Sequence, residues 1–212
     1  FGFDLDSRIE DYILERKLPY VENLAEEFLG KGDVRFESSP SAVVEKSDIV
    51  FLAIQTPHQP RFEGSTPVPD DTEDFDYSFL VSAVKSVVDS LLSLPKKNIL
   101  LVVISTVLPG TMRRLVLPLL EPVKEQVSLC YNPFFIAMGN TIEDFLNPEF
   151  VLIGSDDQNS ARELAKFYSS IHSAPARLMQ IESAELTKVA YNTFIGFKIA
   201  FANTLGEIVQ VR

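Results

Sequence analysis

The side chains best suited to chemistry fall in three places along the chain. Two segments, Ile54-Gln55-Thr56-Pro57 and Ser105-Thr106-Val107-Leu108-Pro109-Gly110-Thr111, each follow an apolar run rich in Ile, Leu and Val. Hydroxyls and free backbone amides there can hold a phosphate or position a reacting alcohol, because open parallel sheets bind ligands outside the carboxyl ends of their strands. The same residue types also make ordinary turns. Far downstream, Lys188 and Asn192 stand four residues apart in a helical stretch, so they project from one face about one turn apart. A lysine beside a neutral amide can stabilise a developing alkoxide while the amide fixes a water or a substrate oxygen. Such a pair is equally at home on a solvated helix surface. At the start, Asp4 ends the segment Phe1-Gly2-Phe3-Asp4. In a dinucleotide-binding unit an acidic residue at the end of the second strand accepts hydrogen bonds from the adenosine ribose, and a glycine-rich phosphate turn lies about 20 residues earlier. Here that turn would fall before Phe1, and Asp4 serves as well as a plain turn residue. Arg8 reads more simply as part of a solvated helix face.

Positioning these groups falls to short β-rich apolar runs that alternate with longer segments of helical period, the order expected of an α/β fold with a parallel sheet wrapped by helices. Residues 1–4, 34–37, 48–54, 98–106, 127–131, 150–154 and 176–180 are the candidate strands, and they read as buried on both faces. Phe79, Leu80, Ala83, Val84, Val87, Val88, Leu91 and Leu92 keep the spacing of an amphipathic helix that stops before Pro95. Residues 8–16, 21–29, 111–123 and 160–171 are shorter helical candidates, whereas the proline- and acid-rich segment 57–76 reads as a long surface loop. From residue 182 to about 210 there is no proline, and Leu186, Val189, Ile195, Ile199 and Leu205 keep a helical repeat, so one long helix is expected. Apolar on more than one stripe, that helix wants a partner beyond the sheet, either a following helical domain or a second subunit.

Composition narrows the class. A chain of 212 residues, 46% hydrophobic and 23% charged, can bury one sizeable core. No apolar stretch is long enough to span a bilayer, and the cytoplasm is the default compartment. The net charge of −11 disfavours nucleic acid or anionic membrane as a partner, so a phosphorylated ligand must be held by local donors. Cys130 is the only cysteine, which rules out an internal disulfide and a zinc site of several thiolates. No metal site is expected. Cys130 falls inside a candidate strand and reads as a buried structural thiol. His58 and His172 read as loop and helix-end residues. The chain opens already inside a strand-like segment, from which we expect the first strand and its glycine-rich turn to precede Phe1.

Taken in order, several motifs resemble the UDP-glucose/GDP-mannose dehydrogenase family. They are Val50-Phe51-Leu52-Ala53-Ile54-Gln55-Thr56-Pro57, then Ser105 to Thr111, then Asn132-Pro133-Phe134-Phe135. Asp144-Phe145-Leu146-Asn147-Pro148 with Val151-Leu152-Ile153-Gly154 follows, and then Ala184-Glu185-Leu186-Thr187-Lys188 with Asn192 and Lys198-Ile199-Ala200-Phe201-Ala202-Asn203. The resemblance covers nearly the whole chain. It implies a Rossmann-like NAD-binding domain over residues 1–181, with helices on both faces of its sheet, and a long helix over 182–212 that begins a central dimerisation domain. That family oxidises the primary alcohol of a nucleotide-linked sugar to a carboxylate with two NAD molecules, through a thiohemiacetal and a thioester on a cysteine. Carried over, the resemblance implies that Asp4 and Arg8 meet the adenosine ribose end of NAD, while Ile54, Gln55, Thr56, Pro57, Ser105, Thr106 and Val107 line the rest of its site. It further implies that Thr106, Lys188 and Asn192 are catalytic, and that Phe134, Phe135, Ile136, Ala137 and Met138, with Lys188 and Asn192, surround the sugar nucleotide.

Two departures stand out. Where the family's Pro-Glu-Phe-Leu-x-Glu-Gly loop carries two glutamates, this chain reads Pro133-Phe134-Phe135-Ile136-Ala137-Met138-Gly139. The family's nucleophilic cysteine lies in a later segment, expected beyond Arg212. Glu182 and Glu185 are the carboxylates nearest Lys188 in sequence, at a helix start where negative charge is favoured in any case. Three readings follow: a nucleotide-sugar dehydrogenase assembled as a homodimer, a non-catalytic relative that binds NAD or a sugar nucleotide, and a β-hydroxyacid dehydrogenase. The Ser-Thr-Val-Leu-Pro-Gly and Asn-Pro-Phe-Phe loops argue against the third.

Overall fold

A computed structural model describes residues 1–63, 67 and 70–210. Five strands form one sheet in sequential order: β1 (Ile49–Leu52), β2 (Ile99–Val103), β3 (Val127–Tyr131), β4 (Val151–Gly154) and β5 (Ala176–Met179). The first three are parallel. All of β2 is buried, as its unbroken Ile-Leu-Leu-Val-Val run demands of a strand covered on both faces. Its side chains alternate between two cores. Leu101 and Val103 pack beneath α4 (Ser78–Ser93) with Leu80, Val84, Val87 and Leu91. Leu100 and Val102 pack with Cys130 beneath α7 (Gln158–Ser169), against Ala161, Leu164 and Tyr168. The fold is thus the expected Rossmann-like α/β sheet with helices on both faces.

Three departures have physical causes. Residues 1–4 and 34–37 meet only through a single parallel bridge, Gly2 to Phe36, because a two-segment pairing without further sheet neighbours is marginal. The stretch 111–123 is not one helix. It runs as a π-helical turn (Met112–Val116), α5 (Leu117–Leu120) and a 3-10 turn (Glu121–Val123), since Pro118 and Pro122 lack the N–H groups a continuous α-helix would use. Near the start, α1 (Arg8–Leu14) ends short of residue 16, α2 (Ala25–Lys31) begins only after Leu24, held at φ 64°, and α3 (Pro40–Lys46) has no counterpart among the expected helices. Of the expected loop 57–76, residues 64–66, 68 and 69 lie outside the described residues, as do 211 and 212 of the last helix.

The largest correction concerns strand direction. β4 is antiparallel to β3, with Tyr131 paired to Gly154. The connecting helix α6 (Thr141–Leu146) has six residues, a rise of about 9 Å at 1.5 Å per residue, less than the roughly 16 Å length of a five-residue strand. It turns the chain back without carrying it across the sheet. The twelve-residue α7 does cross, and β5 is parallel to β4. Because β3 and β4 meet at their final residues, β4 and β5 project past the carboxyl end of β3. Helix α8 (Ile181–Gln210) therefore starts beside that end. It packs tightly there: a β-carbon on Gly154 would stand 2.6 Å from Ala184 Cβ and 3.0 Å from Ile181 Cα.

Candidate functional site

Strands β1 and β2 run side by side in one direction, so the segments that leave them emerge together. Ser105 Oγ donates to Ile54 O at 2.6 Å and accepts from Ile54 N at 3.2 Å, while Thr56 Oγ1 donates to Thr106 O at 2.7 Å. Thr56 and Thr106 therefore lie side by side where the two strands end. Side chains divide there: Ser105 and Val107 are buried, Ile54, Thr56, Pro57 and Thr106 half-buried, and Gln55 exposed. Val107, with no exposed surface, is packed in the core and offers a ligand no accessible atom. Among the described residues the N–H groups of Gln55 and Thr56 have no protein acceptor.

Asp4 and Arg8 do not join this group through any hydrogen bond among the described residues. Asp4 Oδ1 accepts the N–H of Asp6 at 2.8 Å, an Asx turn. The exposed Arg8 is chelated by Asp6, with its closest contact at 2.6 Å. These are the plain local roles that the sequence also allowed.

The loop 105–112 is bolted to α8 by a residue whose part the sequence did not reveal. Glu185 is fully buried, and its carboxylate accepts the N–H of Gly110 at 2.5 Å and of Met112 at 2.8 Å. Burial raises this carboxyl above its ordinary range, although the two N–H groups pull the other way. Tyr77 holds the same loop from α4, its hydroxyl accepting from Leu108 N at 3.1 Å and from Thr111 Oγ1 at 3.3 Å. On the surface, Arg113 ties Glu182 to Asp156. Both glutamates near Lys188 are therefore engaged in holding the fold and are not free carboxylates.

One turn after Glu185, the buried Lys188 donates from Nζ to Phe134 O at 2.6 Å and lies 4.7 Å from the centroid of the Phe135 ring. Burial lowers its pKa, since the charged form is partly stripped of water. Asn192 follows one turn on and is exposed. The loop expected around the substrate is split. Phe134 packs on Phe145 and Phe135 on Phe150 and Tyr191, while Ile136, Ala137 and Met138 are exposed. Phe134, Phe135 and Ile136 line a cavity of about 170 Å³ with Tyr168, His172 and Tyr191. At its base Tyr168 Oη donates to the buried Asn132 Oδ1 at 2.5 Å. His172 stacks on Tyr168, and its buried Nδ1 has no partner among the described residues. Cys130 is the buried thiol expected, its pKa pushed up to about 11 by burial. Among the described residues no cluster suits a metal ion, and no helix is long and apolar enough to cross a membrane.

The same fold recurs in solved structures of a known family. Residues 2–172 match the NAD binding domain of the UDP-glucose/GDP-mannose dehydrogenase family. A putative UDP-glucose 6-dehydrogenase of Bacillus subtilis is 29% identical over 91% of this chain and 42% of its own length. A GDP-mannose 6-dehydrogenase of Pseudomonas putida is 27% identical over 99% of this chain and 47% of its own. Among solved structures, a UDP-glucose dehydrogenase from Pyrobaculum islandicum superposes with a TM-score of 0.84 at 30% identity, over 97% of this chain and 46% of that one. The chain thus spans less than half the length of these relatives, and its match lies across their cofactor domain. With the NAD binding domain of that family matched over residues 2–172, the chain belongs to the UDP-glucose/GDP-mannose dehydrogenase family.

Proposed function

We propose that the protein carrying this chain oxidises the primary alcohol of a nucleotide sugar, of the UDP-glucose kind, to the carboxylate. Bound NAD supplies the hydride acceptor, and two are consumed per sugar. The observation that carries this reading is the single assembly in which Glu185 joins the 105–112 loop to the helix bearing Lys188. Lys188 meets the Phe134 backbone, and Glu185, one turn earlier on the same helix, holds the loop that continues from Thr106. In this reading Lys188 holds the reacting oxygen by charge, Asn192 and Thr106 orient a water, and residues 134–138 wall the sugar nucleotide. Asp4 and Arg8 take the ribose end of the cofactor. Positioned donors of this sort act by stabilising charge as it develops. Residues 1–181 form the cofactor domain, and 182–212 begin a dimerising one. A two-fold homodimer through α8 is supported by its bare apolar surface, where Phe194, Phe197, Phe201 and Val209 are 60%, 65%, 56% and 72% exposed. We place the enzyme in the cytoplasm.

A second reading, a non-catalytic binder of NAD or a sugar nucleotide, is favoured by one observation: Phe134 and Met138 stand where the family carries glutamates, and neither can move a proton. A panel of nucleotide sugars given to the full-length protein with NAD separates the two. Two NADH per sugar marks the dehydrogenase, and binding without NADH marks the binder.

A further inference from the structure

The loop 134–141 has lost both acids of its family pattern, yet a carboxylate reaches it from 117 residues away. Glu22, in the segment leading into α2, accepts the N–H of Gly139 at 2.9 Å and of Thr141 at 2.6 Å. Asn23 N donates to Gly139 O at 3.1 Å. Both sides of the contact carry backbone that ordinary residues avoid: Leu24 at φ 64° and Gly139 at φ 88°. A bulky side chain persists in the left-handed region only where its surroundings over-determine it. Beyond Leu24, Phe28 of α2 joins Phe134, Phe145 and Ile171 around an apolar cavity. The segment that carries Glu22 thus also walls the inner side of Phe134.

We infer that Glu22 is the positioning residue of the 134–141 loop, fixing from a separate segment the wall that faces the nucleotide sugar. The substrate part of this inference rests on the function proposed above, and the loop-holding part does not. A carboxylate suits the task because it presents an acceptor to each of two diverging N–H groups, whereas an amide offers one oxygen and turns its NH₂ toward the other donor. Charge-assisted bonds of this kind are the stronger class.

The test uses the full-length protein as wild type, Glu22→Gln, Glu22→Ala and the surface control Glu26→Gln. Hydrogen exchange of residues 137–142 should quicken on the order of tenfold in Glu22→Gln and further in Glu22→Ala, with the control unchanged. The KM for the nucleotide sugar should rise on the order of tenfold in Glu22→Gln, with kcat and the KM for NAD within about twofold. Exchange in Glu22→Ala equal to that of the control overturns the inference, and so does an equal rise in both KM values, which marks general loosening. If no nucleotide sugar yields NADH, the proposed function falls, and the exchange result alone still decides the role of Glu22.

Discussion

Two loops of this protein are held by one device under different conditions. At one, Glu185 accepts two backbone N–H groups of the 105–112 loop from a fully buried position, and Tyr77 and Ser105 tie the same loop to the start of α4 and to Ile54. At the other, Glu22 accepts two N–H groups of the 134–141 loop from a half-exposed position. Beside it, Asn23 N donates to Gly139 O at 3.1 Å and Asp144 accepts Ala137 N at 2.8 Å. Water competes for the second set of bonds and is kept from the first. In the function proposed above, the buried clamp preorganises the surface that meets the cofactor, and the exposed one holds the wall that meets the nucleotide sugar.

The comparison breaks most visibly if the buried clamp is removed. Glu185→Ala strands the N–H groups of Gly110 and Met112, the latter buried, and leaving a buried donor unmade costs about 1–3 kcal/mol. We expect a loss of about 2–4 kcal/mol on that basis, read as a fall in the urea midpoint at constant slope. A loss no greater than that of Glu22→Ala would mean that burial does not separate the two loops. Next in size is Gly154→Ala. The new methyl would meet Ala184 and the Ile181 backbone at less than contact distance, and overpacking of this kind costs about 1–3 kcal/mol. Because α8 must shift to admit it, Lys188 moves too, and kcat should fall by more than stability alone predicts.

How far the sequence foretold this arrangement depends on the range of the cause. The run Ile99–Val103 and the period of Ser78–Ser93 are local signals, and both elements stand where they were expected, as does α8. The reversal of β4 is different. A strand buried on both faces reads the same in either direction, and the short α6 that turns the chain back was not among the expected helices. Thr56 and Thr106 were brought together by adjacency of strands, which the α/β order implied. Glu185 and Glu22 act across 75 and 117 residues, and nothing local marks a glutamate as the acceptor for a remote turn. Val107 and Phe134 show a further limit: a motif locates a residue near a site without telling whether its side chain faces the ligand or the core.

Lys188 sharpens the comparison by pH. Its burial favours the neutral form, so its folded pKa lies below the ordinary 10.5. If its charge is what holds the reacting oxygen, the charge is lost as pH rises through that lowered value. The alkaline limb of kcat should then set in below pH 10.5. Lys188→Arg keeps a cation at all accessible pH values, so its residual activity should lack the limb. A limb that persists in the arginine variant would assign the titration to another group.

The smallest effect belongs to the exposed loop and decides how pliable it is. Met138 is 96% exposed, and its side chain makes no hydrogen bond or packed contact that a glutamate would break. Met138→Glu should therefore change stability by less than about 0.5 kcal/mol, the range of ordinary surface substitutions. Phe134→Glu should not behave this way, because the Phe134 ring lies 5.5 Å from that of Phe145 and a carboxylate there would lose water without gaining a donor. Turnover carries the remaining information. A carboxylate restored at 138 can help only if the loop bends to bring it toward Lys188, whose Nζ now meets the backbone of Phe134. With Glu22 in place we expect turnover within about twofold of wild type, and with Glu22→Gln in the same chain a larger gain, up to the lower end of the roughly 10²-fold or greater help that general acid–base groups supply. Equal turnover in both backgrounds would show that the Glu22 anchor does not govern where residue 138 points.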